Sequence, residues 1–463
     1  MMMTRRRPAD RARPAGGWSL SGREGDREDA GAAYPPHMTR ALPRPLLHNP
    51  TFARLWFIQA ATQVGGNMAL YAMTILVFAT TRSNAAVSVL LATYVVPQIL
   101  LSPFAGVIVD RLDLRWALVG PNVLRAVLMI GLALAGANVP LLLALNLGVS
   151  FTSVALTPAE GSMIPRVVPP DQLETAMGIF NLTLQGSFAV GFAFVGPVLV
   201  ALAGPSAVLA LVAVLYVAAT IACVSLPSAR PVTRGGRTSR RQAVTRPIHD
   251  LREGFGVVMG DREISRPIIH QAVAAAVTGV LGVLGPALAT SIGLQPDHFA
   301  VIVVPLGLGV VVGVVGLRRF RQLDRRRAAE VGLLVFGGLT ASLALLPPLR
   351  DALAPTGIPV LPEVVAVALV CGAAYAVTSV SAQTSLLQAI PADVRGRVFG
   401  VLASIVSTAS LVPALVAGPL ADRVSAPTVL GLVGALVVAI AAWSIRWFGP
   451  RRSTAASSRP SVG

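Results

Sequence analysis

The chain alternates between long uncharged apolar stretches and short connections that carry most of its arginines and acidic residues. Runs such as Ala126 to Val149, Ala207 to Leu226 and Phe299 to Leu317 contain no charge at all. At 1.5 Å of rise per helical residue, about 20 such residues cross the roughly 30 Å of hydrocarbon in a bilayer. A membrane barrel would show shorter segments of alternating polarity, whereas these runs are continuous and rich in Leu, Ala and Gly. They therefore read as helices, which satisfy their own backbone polar groups in lipid. The pattern predicts an all-α integral membrane protein with twelve transmembrane helices, near 52–80, 85–109, 116–136, 140–163, 173–203, 206–226, 267–293, 298–317, 328–347, 362–389, 396–421 and 427–448.

Composition strengthens this picture, since 54% hydrophobic residues, 13% charged residues and a mean hydropathy of +0.70 fall outside the soluble range. The net charge of +17 raises the question of nucleic acid. Every Lys-or-Arg position is Arg, and these fall mostly in the connections instead of forming a patch interleaved with aromatics, which argues against a nucleic-acid partner. The two cysteines, Cys223 and Cys371, stand alone inside apolar runs, and the five histidines are scattered, so neither a metal nor another cofactor is expected. A phosphate-binding loop needs a lysine that the chain does not have, and no cluster of His, Asp or Glu converges as an enzyme would require.

Residues 1–47 are polar and rich in Arg, Pro and Gly; they read as a disordered extension, with Met38 as an alternative initiator. Residues 48–226 and 267–448 each hold six apolar segments, the stretch 227–266 between them is a basic linker, and 449–463 is a polar tail. Arginines cluster in the even-numbered connections, at Arg111 and Arg115, Arg166, the linker, Arg318 to Arg327, and Arg395 with Arg397. Basic residues flanking membrane segments stay in the cytoplasm, so both termini are expected there, in a bacterial inner membrane.

Shifting the chain by 222 residues superposes Pro169, Asp171, Gly178, Gly196, Pro197 and Pro205 on Pro391, Asp393, Gly400, Gly418, Pro419 and Pro427. This spacing indicates two parallel six-helix repeats. After the second segment stands Gly106-x3-Asp110-Arg111-x-Asp113-x-Arg115. Gly106 permits close helix approach, Asp110 can accept charge-assisted hydrogen bonds, and Arg111 and Arg115 can form ion pairs that break and re-form. The motif resembles the signature between helices two and three of major facilitator proteins, although Asp113 stands where that family has glycine. Gly418-Pro-Leu-Ala-Asp422-Arg423 looks like a second copy, but the repeat assigns it to helix eleven, at the opposite end.

Asn49-Pro50-Thr51-Phe52-Ala53-Arg54-Leu55-Trp56 and Ile390-Pro391-Ala-Asp393-Val-Arg395-Gly396-Arg397 resemble the enterobactin-exporter and macrolide-efflux subgroup of that family. The resemblance covers residues 48–448. It implies a substrate site at the midplane between the halves. In helix five, Gly186, Gly191, Gly196 and Pro197 partly match the Gly-Pro motif of the antiporter branch; helix packing through small residues is the alternative.

Ionisable groups inside a membrane are costly and mark candidate sites. Glu160 and Arg125 are placed towards the cytoplasmic side of helices four and three. Glu160 is expected in the cytoplasmic gate, with Arg111, Arg115 or Arg125, or as the protonatable group; a static ion pair is the alternative. Gln59, Gln63 and Asn67 recur every four residues in helix one with Tyr71 a turn further, and this face is expected to line the cavity. Asn181, Gln185, Tyr375 and Gln383 are candidates for the same cavity, with helix–helix contacts as the alternative.

The resemblance and the partial helix-five motif imply a proton-coupled exporter, and a cavity short of fixed charge suits a small lipophilic molecule, with the protein acting as a monomer in the lipid bilayer. An importer or facilitator of the same fold, or a non-transporting membrane sensor, is the alternative reading.

Overall fold

The computed structural model describes residues 46–109, 112–228, 252–253, 255–319, 324–356, 361–390 and 395–448. Among them twelve spans are long and apolar enough to cross a bilayer: α1 (Pro50–Thr81), α2 (Asn84–Leu101), α3 (Leu114–Leu134), α4 (Val139–Val167), α5 (Pro170–Ala203), α6 (Pro205–Val224), α7 (Arg262–Ser291), α8 (Pro296–Leu317), α9 (Arg325–Leu353), α10 (Leu361–Ala389), α11 (Val398–Arg423) and α12 (Ala426–Arg446). The helix containing α2 runs on to Val109. Because the spans alternate in direction, α1 begins and α12 ends at one face, here the near end; the other is the distal end.

Local chemistry fixes where these helices start. The Asn49 side chain accepts from the amides of Thr51 and Phe52 at 3.1 and 3.3 Å, and Pro50 occupies the position whose missing N–H costs nothing. The same Asn49 donates to the carbonyl of Val167 at 2.8 Å, tying the start of α1 to the end of α4. Asp113 caps α3, accepting from the amide of Arg115 at 2.9 Å, so the departure from the family's glycine supplies a helix start. α7 begins at Arg262, before the expected position 267, because Asp261 caps it and Pro267 is carried inside the helix. α9 extends past Pro347 and Pro348: a short 3-10 turn at Leu343–Leu345 resets the chain, and the prolines fall in the first turn of a new helical piece, Leu346–Leu353.

The spans pack as two six-helix groups. In the first, α1 lies against α5 and α6, and α3 against α4 and α6; in the second, α10 lies against α7, α8 and α9, and α12 against α9 and α7. The groups meet where α2 packs on α11 and α5 packs on α8. A shift of six helices converts the second contact into the first, so the interface follows the repeat.

The buried apolar clusters divide unequally along the membrane normal. One draws on both groups at the distal end, where Tyr71, Phe78 and Phe192 join Val283, Phe299 and Ala414. Towards the near end the clusters stay within one group each: Phe52, Leu118 and Met163 in the first, Ile264, Leu386 and Val401 in the second. The distal ring contact includes Tyr71 stacked on Phe299 at 5.8 Å, with Phe192 edge-on to Tyr71 at 5.4 Å. The halves are thus closed together at the distal end.

Candidate functional site

Inside the first group a cavity of about 60 Å³ is lined by polar side chains from five helices, among them Gln63, Tyr94, Gln98, Arg125, Asn146 and Glu160. Its volume suffices for several waters. Arg125 stands at the middle of α3, which runs from Leu114 to Leu134. It is only 7% exposed. Its Nη2 donates to the hydroxyl of Tyr216 on α6 at 2.6 Å, and the guanidinium lies 4.4 Å from the centroid of that ring. Tyr216 in turn donates to the carbonyl of Thr62 at 3.2 Å, which fastens α3, α6 and α1 together.

Glu160 is 4% exposed and follows a break at Val154–Ala155 that divides α4 into helices Val139–Ser153 and Leu156–Val167. It lies in the field of Arg125, yet the two form no direct ion pair among the described residues. A buried carboxylate and a buried guanidinium that share a polar cavity without direct contact leave room for a proton or water between them. Asn146 on α4 completes this wall, donating to Thr93 Oγ1 at 2.9 Å and to the carbonyl of Leu90 at 3.3 Å.

The polar row on α1 is divided among different neighbours. Gln59 donates to the carbonyl of Phe180 at 3.2 Å, and Asn67 to Ser187 Oγ at 3.2 Å, so both amides are engaged with α5. Gln63 faces the cavity with Arg125 and Glu160. Tyr71 is fully buried in the distal ring contact. Residues four apart drift about 40° around a helix at 3.6 residues per turn, so by Tyr71 the row has left the face on which it began.

Between the groups lies a second cavity, of about 90 Å³, lined by Leu70 and Thr74 of α1, Val87 and Leu91 of α2, Phe188 and Phe192 of α5, Thr278 and Val283 of α7 and Ser410 of α11. Its walls are apolar and aromatic with three hydroxyls and no ionisable group. Gly191 of the helix-five pattern explains one wall. A methyl group on Gly191 would lie 2.4 Å from the carbonyl oxygen of Val64, so α5 and α1 touch backbone to backbone there. A π-helical turn, Gly191–Val195, precedes Gly196-Pro197, re-routing the hydrogen bond that Pro197 cannot donate and turning Phe192 inwards. Gly186 has open space around it.

Other expected residues fall elsewhere. Asn181 is exposed and donates to the carbonyl of Met177 at 3.0 Å. Tyr375 lies tilted against Phe336 at 5.8 Å, inside the second group, and Gln383 is half-buried on α10. Arg115 sits in the first turn of α3, 5.9 Å from the ring of Trp116. Gly106 lies within the helix Asn84–Val109, while Asp110, Arg111 and the side chain of Gln185 lie outside the described residues. Sequence reasoning passed over Tyr94, Gln98, Asn146 and Tyr216; each is a polar group within an apolar span, the same signal that marked Gln59 and Asn67.

The description Major Facilitator Superfamily matches residues 55–412. The chain belongs to the Major Facilitator Superfamily. Within it, an uncharacterised MFS-type transporter of Mycobacterium tuberculosis is 33% identical over 151 residues, which are 30% of this chain and 34% of the relative, so the match spans about a third of that protein. YfiS of Bacillus subtilis, also an uncharacterised MFS-type transporter, is 21% identical over 371 residues, covering 80% of this chain and 86% of its own. Among solved structures, the nucleoside transporter NupG has a TM-score of 0.66 at 12% identity, covering 87% of this chain and 100% of its own. A bacterial homologue of the human lysosomal transporter Spinster, in an inward-facing and unoccupied conformation, has a TM-score of 0.61 at 14% identity, covering 87% and 93%. At such identities the structures show the superfamily fold alone.

Proposed function

We propose that this chain is a secondary active transporter of the bacterial cell membrane that exports a small, neutral, lipophilic molecule by alternating access, in exchange for protons. The observation that carries the reading is the uncharged, partly aromatic cavity between the two groups, with the distal end shut above it. Such walls favour an apolar molecule with one or two hydrogen-bonding groups, which Thr74, Thr278 and Ser410 can meet. Arginines gathered at the near end support a cytoplasmic face there, so the conformation is closed to the outside.

Glu160 is the proton carrier in this reading. Protonation neutralises it and releases Arg125 from its field, and the altered packing of α3 against α6 through Tyr216 is passed to α1, which lines both cavities. The likeness of 48–448 to the enterobactin-exporter and macrolide-efflux subgroup supports the outward direction.

The test uses everted membrane vesicles energised by respiration, a dye sensitive to the pH difference, and a panel of lipophilic antibiotics, siderophores and dyes. Substrate-dependent collapse of the gradient, lost in Glu160→Gln, is the expected result. Uptake of substrate that leaves the gradient untouched would assign a facilitator instead.

A further inference from the structure

The geometry points to Asp422 as a latch on the distal gate: a carboxylate carried by α11 that caps the start of α2, in the other half, only while that end is shut. The inference rests on the alternating-access reading above. α1 and α2 are joined through Arg82 and Ser83, and Arg82 takes the left-handed backbone (φ 53°), with its N–H donating to the carbonyl of Phe78 at 2.8 Å. This tight reversal leaves the first amides of α2 pointing out of the distal end without helical partners. Ser83 Oγ accepts from the amide of Ala86 at 3.3 Å, as an ordinary cap from its own chain would. The preceding amides are met from elsewhere. Asp422 Oδ1 accepts from the Asn84 amide at 2.8 Å and from Asn84 Nδ2 at 2.8 Å; Asp422 Oδ2 accepts from the Ala85 amide at 3.1 Å and from Ser83 Oγ at 2.7 Å.

Four donors thus converge on one carboxylate that lies 338 residues away along the chain. Negative charge at a helix start is favourable, and hydrogen bonds to an ionised acceptor are the stronger kind. The rest of the contact is shaped to the same closure. Ala414, Gly418 and Asp422 are spaced four apart and share one face of α11. The carbonyl of Ala414 accepts from Ser88 Oγ at 2.7 Å, and a methyl group on Gly418 would lie 2.6 Å from the carbonyl oxygen of Asn84. Gly418 therefore lets α11 come close enough for Asp422 to reach the helix start.

Ser83, adjacent in sequence, already provides a local cap, so Asp422 adds a second one from the other half. The Asp422 bonds exist only when the two halves meet, so their free energy biases the gate towards closure. Asp422 lies at an exposed rim, where water can replace each bond as the gate opens; the contact is reversible. The Gly-x3-Asp-Arg spacing of Gly418, Asp422 and Arg423 is the same as that of Gly106, Asp110 and Arg111. In helix eleven it serves the distal end.

The test measures the gate itself. Spin labels are placed on cysteines introduced at two exposed distal positions, Ala137 between α3 and α4 and Asp351 near the end of α9, in a background with Cys223→Ala and Cys371→Ala. Distance distributions are recorded for the full chain in lipid nanodiscs. Asp422→Ala is expected to raise the ratio of long (open) to short (closed) distances by about tenfold, and Ser83→Ala, which removes one donor and keeps the carboxylate, by a smaller factor. An unchanged distribution in both variants overturns the latch. A protein that transports none of the compounds tried but shows this shift contradicts the transport reading and supports the latch.

Discussion

Arg125 of α3 lies with its guanidinium 4.4 Å from the centre of the Tyr216 ring on α6 and donates to that residue's hydroxyl at 2.6 Å. A buried cation is thereby held by an aromatic face and a neutral oxygen, while the buried carboxylate Glu160 stays in its field without direct contact. The arrangement keeps the positive charge fixed and leaves the negative one able to change.

Tyr216→Phe keeps the ring beneath the guanidinium but removes both the acceptor for Arg125 and the donor to the Thr62 carbonyl. The expected cost is about 1–3 kcal/mol, since a buried charged donor loses its partner. It is checked by thermal unfolding of the purified protein in detergent. Proton-coupled flux should fall along with it, because Arg125 is no longer anchored.

Glu160→Gln removes the proposed proton carrier but keeps its size and hydrogen-bonding atoms. Gradient-driven transport is expected to disappear while exchange of labelled for unlabelled substrate, which needs no net proton movement, continues. Flux assays in both modes on the same vesicles separate the two. Loss of both would place Glu160 in the folding or substrate path instead.

Two glycines in one helix should respond oppositely to the same change. Gly191→Ala puts a methyl group against the Val64 carbonyl and Asn67, so α5 must move away from α1, at a cost of about 1–3 kcal/mol. Gly186→Ala meets open space and gains helix propensity of up to about 1 kcal/mol. Melting temperatures of the two variants are the readout.

Phe188 and Phe192 stack at 4.9 Å and form one wall of the cavity between the groups. Phe188→Ala should weaken transport of planar aromatic compounds more than that of aliphatic ones, because the lost partner is a ring face. Competition by a series of unlabelled compounds against one labelled substrate shows the change in order.

The twelve spans were legible because each is a continuous apolar run, while caps such as Asn49 before Pro50 fix some of their starts in the structure. Sequence placed α7's start late, because the stretch up to Arg266 carries arginines and no long apolar run and so reads as linker; the helix starts at Arg262 and carries Pro267 inside it. Polar positions were visible, but their destinations were not. Gln59 and Asn67 differ from Gln63 only in which neighbour stands opposite, a property of packing between helices far apart in the chain. Tyr216 was visible as a polar group in an apolar run, but its pairing with Arg125 emerges only when α3 and α6 are side by side. The same holds for Asp422, whose spacing was evident and whose partners are in the other half.

We infer that the chain moves a lipophilic molecule through the cavity between its halves in exchange for protons. The most direct measurement uses purified protein in proteoliposomes with an acidic interior, no other energy source, and a substrate drawn from the vesicle panel. Accumulation of that substrate together with outward proton movement is expected in the wild-type protein and not in Glu160→Gln. Accumulation in the variant equal to the wild type, or none in either with the protein shown to be folded and correctly inserted, would contradict it.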